Sequence, residues 1–285
     1  NDGSVLSDDK MTGITILLSE IERVSAMSYS ATPGGILTAG KPTELDVEAT
    51  SYQDVATNAN LETIGLVLTE IADTTQPSLI RASLQLTDGV LLLENTETMR
   101  YITANLSRFS IGNTTNTSEY TLAGASVKNL NLPNITITLT EAMRARAIEI
   151  SSTPGGDSIS SLLHIAAGAI SDMAGNNIIP VEVDIEESPD TGRPILVRGS
   201  VELTTGILTL TMNETIDATP VSLIALNTIF LSNAAYETEV SLANTRADAI
   251  DGVDLIIYLN EAERVAALVR SGTMGGDGVA AHLFS

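Results

Sequence analysis

The feature that most constrains this chain is that it repeats itself. Ile14 to Gly35 reads ITILLSEIERVSAMSYSATPGG and Ile135 to Gly156 reads ITITLTEAMRARAIEISSTPGG, identical at 12 of 22 ungapped positions. Leu255 to Gly276, LIIYLNEAERVAALVRSGTMGG, matches the first copy at 11 of 22. LIRASLQLTDGVLLLENTET from Leu79 recurs as LVRGSVELTTGILTLTMNET from Leu196, with 10 of 20 positions identical, and Asp54-Val-Ala-Thr-Asn58 recurs as Asp172-Met-Ala-Gly-Asn176. Offsets of 117 to 121 residues correspond to one domain of ordinary size per period, so an array is expected rather than one 285-residue core. The frame divides the chain into 1–76, the C-terminal part of a repeat; 77–190, a complete repeat; and 191–285, a repeat lacking its last strand or strands. Two expectations follow. Either the chain is a window on a longer array, or its partial ends complete one another between subunits, an open sheet edge and core groove accepting a neighbour's strand.

Within one repeat, Ala82 to Leu86 and Val90 to Glu94 read as a hairpin split by Thr87-Asp88-Gly89. Tyr120 to Leu122, Val127 to Leu132 and Ile135 to Leu139 read as further strands; in the last, Ile135, Ile137 and Leu139 share one face. The period then lengthens to about 3.6. Ser19, Thr140 and Asn260 each precede a glutamate, which predicts an N-cap and an acid in the first helical turn. Ile21, Val24 and Met27, and later Ala262, Val265 and Leu268, are expected to line the buried stripe of a short helix that stops near Thr32 and Thr153. Leu45 to Ala49, Leu163 to Ala167 and Ala281 to Phe284 resume as strands, Val181 to Ile185 follows as a strand or linker, and Glu186 to Asp190 has the composition of a boundary. Many short strands with regularly spaced turns predict a mainly β fold of tandem antiparallel β-sandwiches, each with a short helical crossover.

At Gly206 to Thr215 (GILTLTMNET), Ile137 to Ala142 (ITLTEA) and Gly168 to Asn176 (GAISDMAGN) the chain resembles the Ig-like repeats of bacterial surface-layer proteins and of large extracellular repeat proteins of algae and other protists, including glycoproteins that build fibrils. The first copy departs from the pattern, with Tyr52 and Thr57 where the second has Ile170 and Gly175. The resemblance implies a secreted or cell-surface spacer, stalk or filament subunit, and it carries no catalytic residue.

Composition narrows the role from the other side. Thirty-six Asp+Glu against 14 Lys+Arg give a formal charge of −22, a surface that repels phosphate backbones and anionic lipid, so no nucleic-acid partner is expected. No apolar run approaches the roughly 20 residues that span a bilayer, so no membrane insertion is expected. With no Cys, disulfides, cysteine-ligated zinc and thiol catalysis are excluded. His164 and His282 are the only histidines and are expected to be partly buried in strands. Gly156-Asp157-Ser158 has the look of a nucleophile block, but its counterpart Gly276-Asp277-Gly278 has no serine, so it reads as a turn. Neither a catalytic residue nor a cofactor is expected.

Two kinds of site remain. Asn105, Asn113, Asn116, Asn134 and Asn213 begin Asn-x-Ser/Thr sequons for N-linked glycans. The first three crowd the polar stretch from Thr103 to Glu119, expected to be an exposed loop, whereas Asn134 and Asn213 sit in or beside strands and would have to point outward. Calcium is a weaker expectation, with Asp172, Asn176, Glu186, Glu187 and Asp190 as its oxygen ligands and a solvated acidic surface as the plainer alternative; Asp54 and Asp172 also fit as caps of their own turns. The function expected is a non-enzymatic subunit of an extracellular glycoprotein filament whose partner is itself, head to tail. An acceptor groove would lie in Val197 to Ser285 and a donor among Ile14 to Leu18, Leu45 to Ala49 or Gln53 to Leu61. The alternative is an adhesin or carbohydrate-binding stalk that meets glycans or a cell surface; the absence of Trp weighs against it.

Overall fold

In the computed structural model, which describes every residue except 1–3, 8–13, 37–39, 115–118, 234–238, 277, 279–280 and 285, the sequence period appears as a recurring run of strands around one short helix. The first segment contributes β1 (Ser4–Ser7), β2 (Ile14–Leu17), α1 (Glu20–Ser28), β3 (Glu44–Val47) and β4 (Thr63–Val67). The middle repeat contributes β5 (Leu79–Gln85), β6 (Val90–Met99), β7 (Phe109–Asn113), β8 (Tyr120–Thr121), β9 (Ser126–Val127), β10 (Leu132–Thr138), α2 (Glu141–Glu149), β11 (Ser161–Ile165) and β12 (Val181–Ser188). The last repeat follows with β13 (Leu196–Glu202), β14 (Ile207–Ile216), β15 (Phe230–Asn233), β16 (Val240–Ser241), β17 (Arg246–Ala247), β18 (Gly252–Tyr258), α3 (Glu261–Val269) and β19 (Ala281–Phe284). The chain is mainly β and falls into two units, Asn1–Asp190 and Thr191–Ser285.

The middle repeat shows how the pattern closes. Gly89, at φ 66°, turns the chain from β5 into β6, and Leu84 and Leu91 then face each other across the hairpin. The strands run β8-β7-β11-β12-β5-β6-β10-β9, one sheet folded over so that Leu91, Leu93, Ile135 and Ile137 meet Phe109, Ile111, Leu163 and Ile165 in one core. All neighbouring pairs are antiparallel except β12 and β5, which run parallel with Ile185 opposite Ala82. The sequence reading of a wholly antiparallel sandwich is corrected at this pair. β12 is the last strand of the repeat and returns beside the first, and alternation of apolar residues carries no information about direction. The expected strand Val127 to Leu132 is also redrawn: Ser126 and Val127 end one strand and Leu132 begins the next.

The helices start where the caps place them. The side chains of Ser19, Thr140 and Asn260 accept from the N–H groups of Glu22, Met143 and Glu263. Glu22 and Glu263 return the bond to the cap's own N–H, closing capping boxes that Met143 cannot form. The helices stop into a tight turn: Ser30, Ser151 and Ser271 are buried and each shares a 2.7 Å hydroxyl contact with Thr32, Thr153 and Thr273. A Cβ on Gly35, Gly156 or Gly276 would lie 2.0–2.1 Å from the carbonyl oxygen of that serine, which is why the second glycine of the pair recurs in all three copies.

The buried stripe of the helix matches the expected one only in part: Met27 is buried and Val24 and Leu268 are half-buried. Ile21 and Val265 face solvent; Arg144 and Ala147 are buried in α2 and Glu263 and Ala267 in α3. An arginine takes a core-facing position because, as described below, its guanidinium is fully engaged while its stem packs. His164 is likewise exposed rather than partly buried, beside Glu182 on the neighbouring strand.

The last repeat rebuilds the same halves as two sheets, β13-β14-β18-β17 and β16-β15-β19, around a core of Leu208, Leu210, Leu231, Leu242 and Ile257. Among the described residues no strand joins β19 to β13 as β12 joins β11 to β5. In the first segment β2 pairs with β1 and β3 with β4. The same residue type therefore has different worth in different copies. Ile137→Ala, at a fully buried position, should cost about 2–5 kcal/mol in denaturant unfolding of the N-terminal unit. Its counterpart Ile16→Ala, where the side chain is 63% exposed, should change it by no more than about 0.5 kcal/mol.

Candidate functional site

The fourth residue of each helix is an arginine, Arg23, Arg144 or Arg264, and each makes the same first contact. Its Nε and Nη2 take both carboxylate oxygens of the glutamate three residues earlier: Glu20 at 2.8 and 2.9 Å, Glu141 at 2.7 and 2.9 Å, Glu261 at 2.8 and 2.8 Å. This is the bidentate fork that fits guanidinium to carboxylate. The remaining nitrogen reaches across the repeat. Arg144 Nη1 donates to the Leu86 carbonyl at 3.0 Å and to Asp190 at 2.6 Å, and Arg264 Nη1 to the Leu203 carbonyl at 2.8 Å. One side chain thus ties the helix start to the hairpin turn, and in the middle repeat also to the residue that follows the last strand. The Glu141 hydrogen bond raises Arg144 above its ordinary value in spite of the burial that opposes its charge.

Arg23 makes a wider version of the contact. Its Nη1 reaches Asp73 at 2.6 Å, the counterpart of Asp190, and its Nη2 reaches Glu97 of β6 at 3.0 Å. Glu20 accepts from the Thr98 N–H at 2.7 Å, and Asn176 Nδ2 donates to the Asp73 carbonyl at 3.2 Å. These bonds join the first segment to the middle repeat. Burial works against the charge of Glu20, but the hydrogen bonds of Arg23 and Thr98 outweigh it and hold its carboxyl below the usual range. Glu97 goes the other way: burial first, then the charge of Asp73, push its carboxyl above the usual range in spite of Arg23.

Asp73, Glu97 and Asp172 bring carboxylate oxygens within 4.8 Å of one another and, among the described residues, are the group that could share a metal ion. Arg23 already bonds two of them, and Asp172 spends its oxygens on Asn176 N and Nδ2 at 2.7 and 2.9 Å. The other residues read as calcium ligands do not join this cluster. Glu186 bonds Arg81, Glu187 accepts from the Ser152 and Ser161 N–H groups at 2.9 Å each, and Asp190 belongs to Arg144. The arginines, Asp73 and Glu97 escaped the sequence reading, although Glu-x-x-Arg stands at the same helical position in all three copies.

The sequons separate by environment. Asn105, Asn134 and Asn213 are exposed, with Asn134 and Asn213 on strands and pointing outward. Asn113 is not on a loop: it lies in β7, 1% exposed, with Nδ2 donating to Asp157 at 2.7 Å. Period-2 alternation hides this position because β7 is buried along its whole length. Asn116 and Asp277 lie outside the described residues. Asp157 also accepts from the Ile159 N–H and Ser158 sits at φ 71°, so the Gly-Asp-Ser stretch is a turn.

The first segment presents a surface that the middle repeat buries. Ile16 is 63% exposed where Ile137 is 0%, Leu18 is 52% where Leu139 is 7%, and Leu68 is 38% where Ile185 is 4%. Leu18, Ala26, Met27 and Leu68 line a groove of about 860 Å³, together with Thr96 and Glu97. No helix among the described residues is long and apolar enough to cross a membrane.

No family model and no curated protein matches the chain. Among solved structures it is similar to the bacterial surface-layer protein SbsC, with 11% identity, a TM-score of 0.29, and coverage of 65% of this chain and 26% of that one. It is also similar to the N-terminal part of SbsC (9%, TM-score 0.28, 66% and 45% covered) and to titin domains Z1Z2 in complex with telethonin (9%, TM-score 0.19, 65% and 81% covered). The chain thus spans about a quarter of the first of these proteins, and its role is argued below from its own residues.

Two measurements check the clamp. Arg144→Ala, which strands Glu141 and Asp190 beside a core, should cost about 3 kcal/mol in unfolding of the N-terminal unit. The same change at the more open Arg264 should cost its unit clearly less. Because the folded state holds Glu97 above its unfolded value, ionising it as pH rises through that raised value destabilises the fold. Glu97→Gln should therefore raise the melting midpoint at pH 7, and the gain should vanish in acid where both states are protonated. Glu20 has the opposite sign: its contribution is present above the ordinary carboxylate range and lost as pH falls through the lowered value, so Glu20→Gln should lower the midpoint at pH 7.

Proposed function

We propose that the chain is a non-enzymatic structural subunit of an extracellular or cell-surface assembly, a glycoprotein filament in which copies associate head to tail by completing one another's sheets. The observation that carries this reading is the exposed apolar face of the first segment, made of residues whose counterparts form the core of the middle repeat. An apolar face of this kind beside an unpaired strand edge is a surface for strand addition. At about 25 cal/mol per Å², covering even a few such side chains is worth several kcal/mol of association before its entropic cost. A contact between two different surfaces of the same chain does not close on itself and so produces filaments. The net charge of −22 opposes association at low salt, which makes added salt the lever that reveals it. N-linked glycans belong in this reading on Asn105, Asn134 and Asn213, whose side chains are open to solvent.

Sedimentation velocity and negative-stain electron microscopy across a salt series test the assembly. Association that grows with protein concentration and with salt, and yields linear particles, is the expected result; a monomer at all micromolar concentrations and salts overturns it. Glycopeptide mass spectrometry of native material should find occupancy at Asn105, Asn134 or Asn213 and none at Asn113.

A further inference from the structure

We propose that two equivalent loop ends carry a contact between copies: the aliphatic, basic end of the middle repeat around Ile102 and Leu130 docks on the aliphatic, acidic end of the last repeat around Leu223 and Ile250 in a second copy. This rests on the self-association reading and uses no strand edge.

The platform is built in the same way in both repeats. A single helical turn, Tyr101–Thr103, lies between β6 and β7, and its equivalent, Val221–Leu223, lies between β14 and β15. Each is tied to the loop that leads into the neighbouring strand, β10 or β18. The Tyr101 N–H donates to Asn131 Oδ1 at 3.1 Å, and the Ala218 N–H donates to Asp251 Oδ1 at 2.8 Å. At an offset of 120, Asn131 and Asp251 are counterparts, as are Leu130 and Ile250. Beside these tethers aliphatic side chains stand in solvent: Ile102 is 70% and Leu130 47% exposed, Leu223 55% and Ile250 69%. A lone exposed aliphatic is ordinary; a pair recurring on equivalent, hydrogen-bonded loops marks a contact surface.

What differs between the two ends is their charge. Lys128 stands where Asp248 stands, and Asn131 where Asp251 stands. Arg100, also exposed, leads into the middle turn, and exposed Asp217, which accepts from the Thr219 N–H at 3.1 Å, leads into the last one. The middle end is therefore basic in a chain of net charge −22, and the last end is acidic. Two middle ends repel and two last ends repel, whereas a middle end attracts a last end. The charges choose the pairing, and burial of the aliphatic centre supplies its affinity. An anionic partner is repelled by the last end and a cationic one by the middle end, so a second copy is the occupant that satisfies both. Because each copy carries one surface of each kind, the contact passes from copy to copy.

Two substitutions in the full chain exchange the residues that the repeats already carry at this position, Lys128→Asp and Asp248→Lys, each checked for fold by circular dichroism. In sedimentation velocity each alone should raise the concentration needed for half-association about tenfold, and an equal mixture should return to within about twofold of the parent. The mixture works because the two unaltered ends still match and the two altered ends match each other. Asp248→Lys brings the net charge nearer zero, so its weaker association runs against the effect of general repulsion. Asp251→Asn, which keeps the acceptor that ties the loop as Asn131 does, should weaken association about threefold. Association that is unchanged or strengthened in Asp248→Lys, or that the mixture fails to restore, overturns this contact while leaving self-association standing. No association of the parent chain under any condition overturns both.

Discussion

A guanidinium locked to the glutamate one helical turn before it is the contact on which each repeat depends. The pair is formed within four residues, so it exists as soon as the helix does. What it then does is long-range: its free nitrogen reaches a hairpin carbonyl about 60 residues away in the two later copies, and a linker aspartate about 50 residues away in the two earlier ones. In the middle repeat Arg144 is buried, and a buried charge is stable only with all its partners in place, so there the helix, the hairpin turn and the end of the last strand are specified together rather than one by one. Gly89 and Gly206 complete the arrangement, since the stems of Arg144 and Arg264 pass 3.4 Å from where a Cβ on either glycine would lie.

The same design is satisfied to different extents along the chain. In the middle repeat Leu86, Leu91, Ile137, Leu163 and Ile165 are shut off from water. The first segment has the helix, the tight serine turn and the arginine, yet its strands β2 and β4 keep apolar faces in solvent. Arg23 there turns to Glu97 of the next repeat, making a joint between repeats from the residue that elsewhere makes a joint within one. Three carboxylates share that guanidinium on unequal terms: burial and the charge of Asp73 hold Glu97 above the usual range, while the hydrogen bonds of Arg23 and Thr98 hold Glu20 below it.

Much of this was legible in the residues because identity between copies marks what cannot vary. The caps Ser19, Thr140 and Asn260 announce the helix, the paired glycines announce its end, and Thr87-Asp88-Gly89 announces the hairpin. The misreadings share a cause: each depended on a partner distant in sequence. Periodicity assigns burial to apolar residues, so it placed Ile21 and Val265 inside, where both face solvent, and it gave no sign of Arg144, whose burial is made possible by Asp190 and the Leu86 carbonyl. Asn113 reads as a loop glycan site until β11 covers β7 and Asp157 takes its amide. The parallel direction of β12 is a property of where the chain returns, which its alternating valines cannot encode.

That parallel return has a mechanical meaning. β5 opens the middle repeat and β12 closes it, so the two strands nearest the ends of the repeat are neighbours in one sheet. Tension applied along the chain pulls them in opposite directions along their own axes. In that geometry the hydrogen bonds from Ile185 to Ser188 against Ala82 to Gln85 bear load side by side and must yield together. A hairpin such as β5–β6, pulled apart at its open end, would release its bonds one after another. Pulled at its two ends, the repeat is thus loaded in shear across β5 and β12.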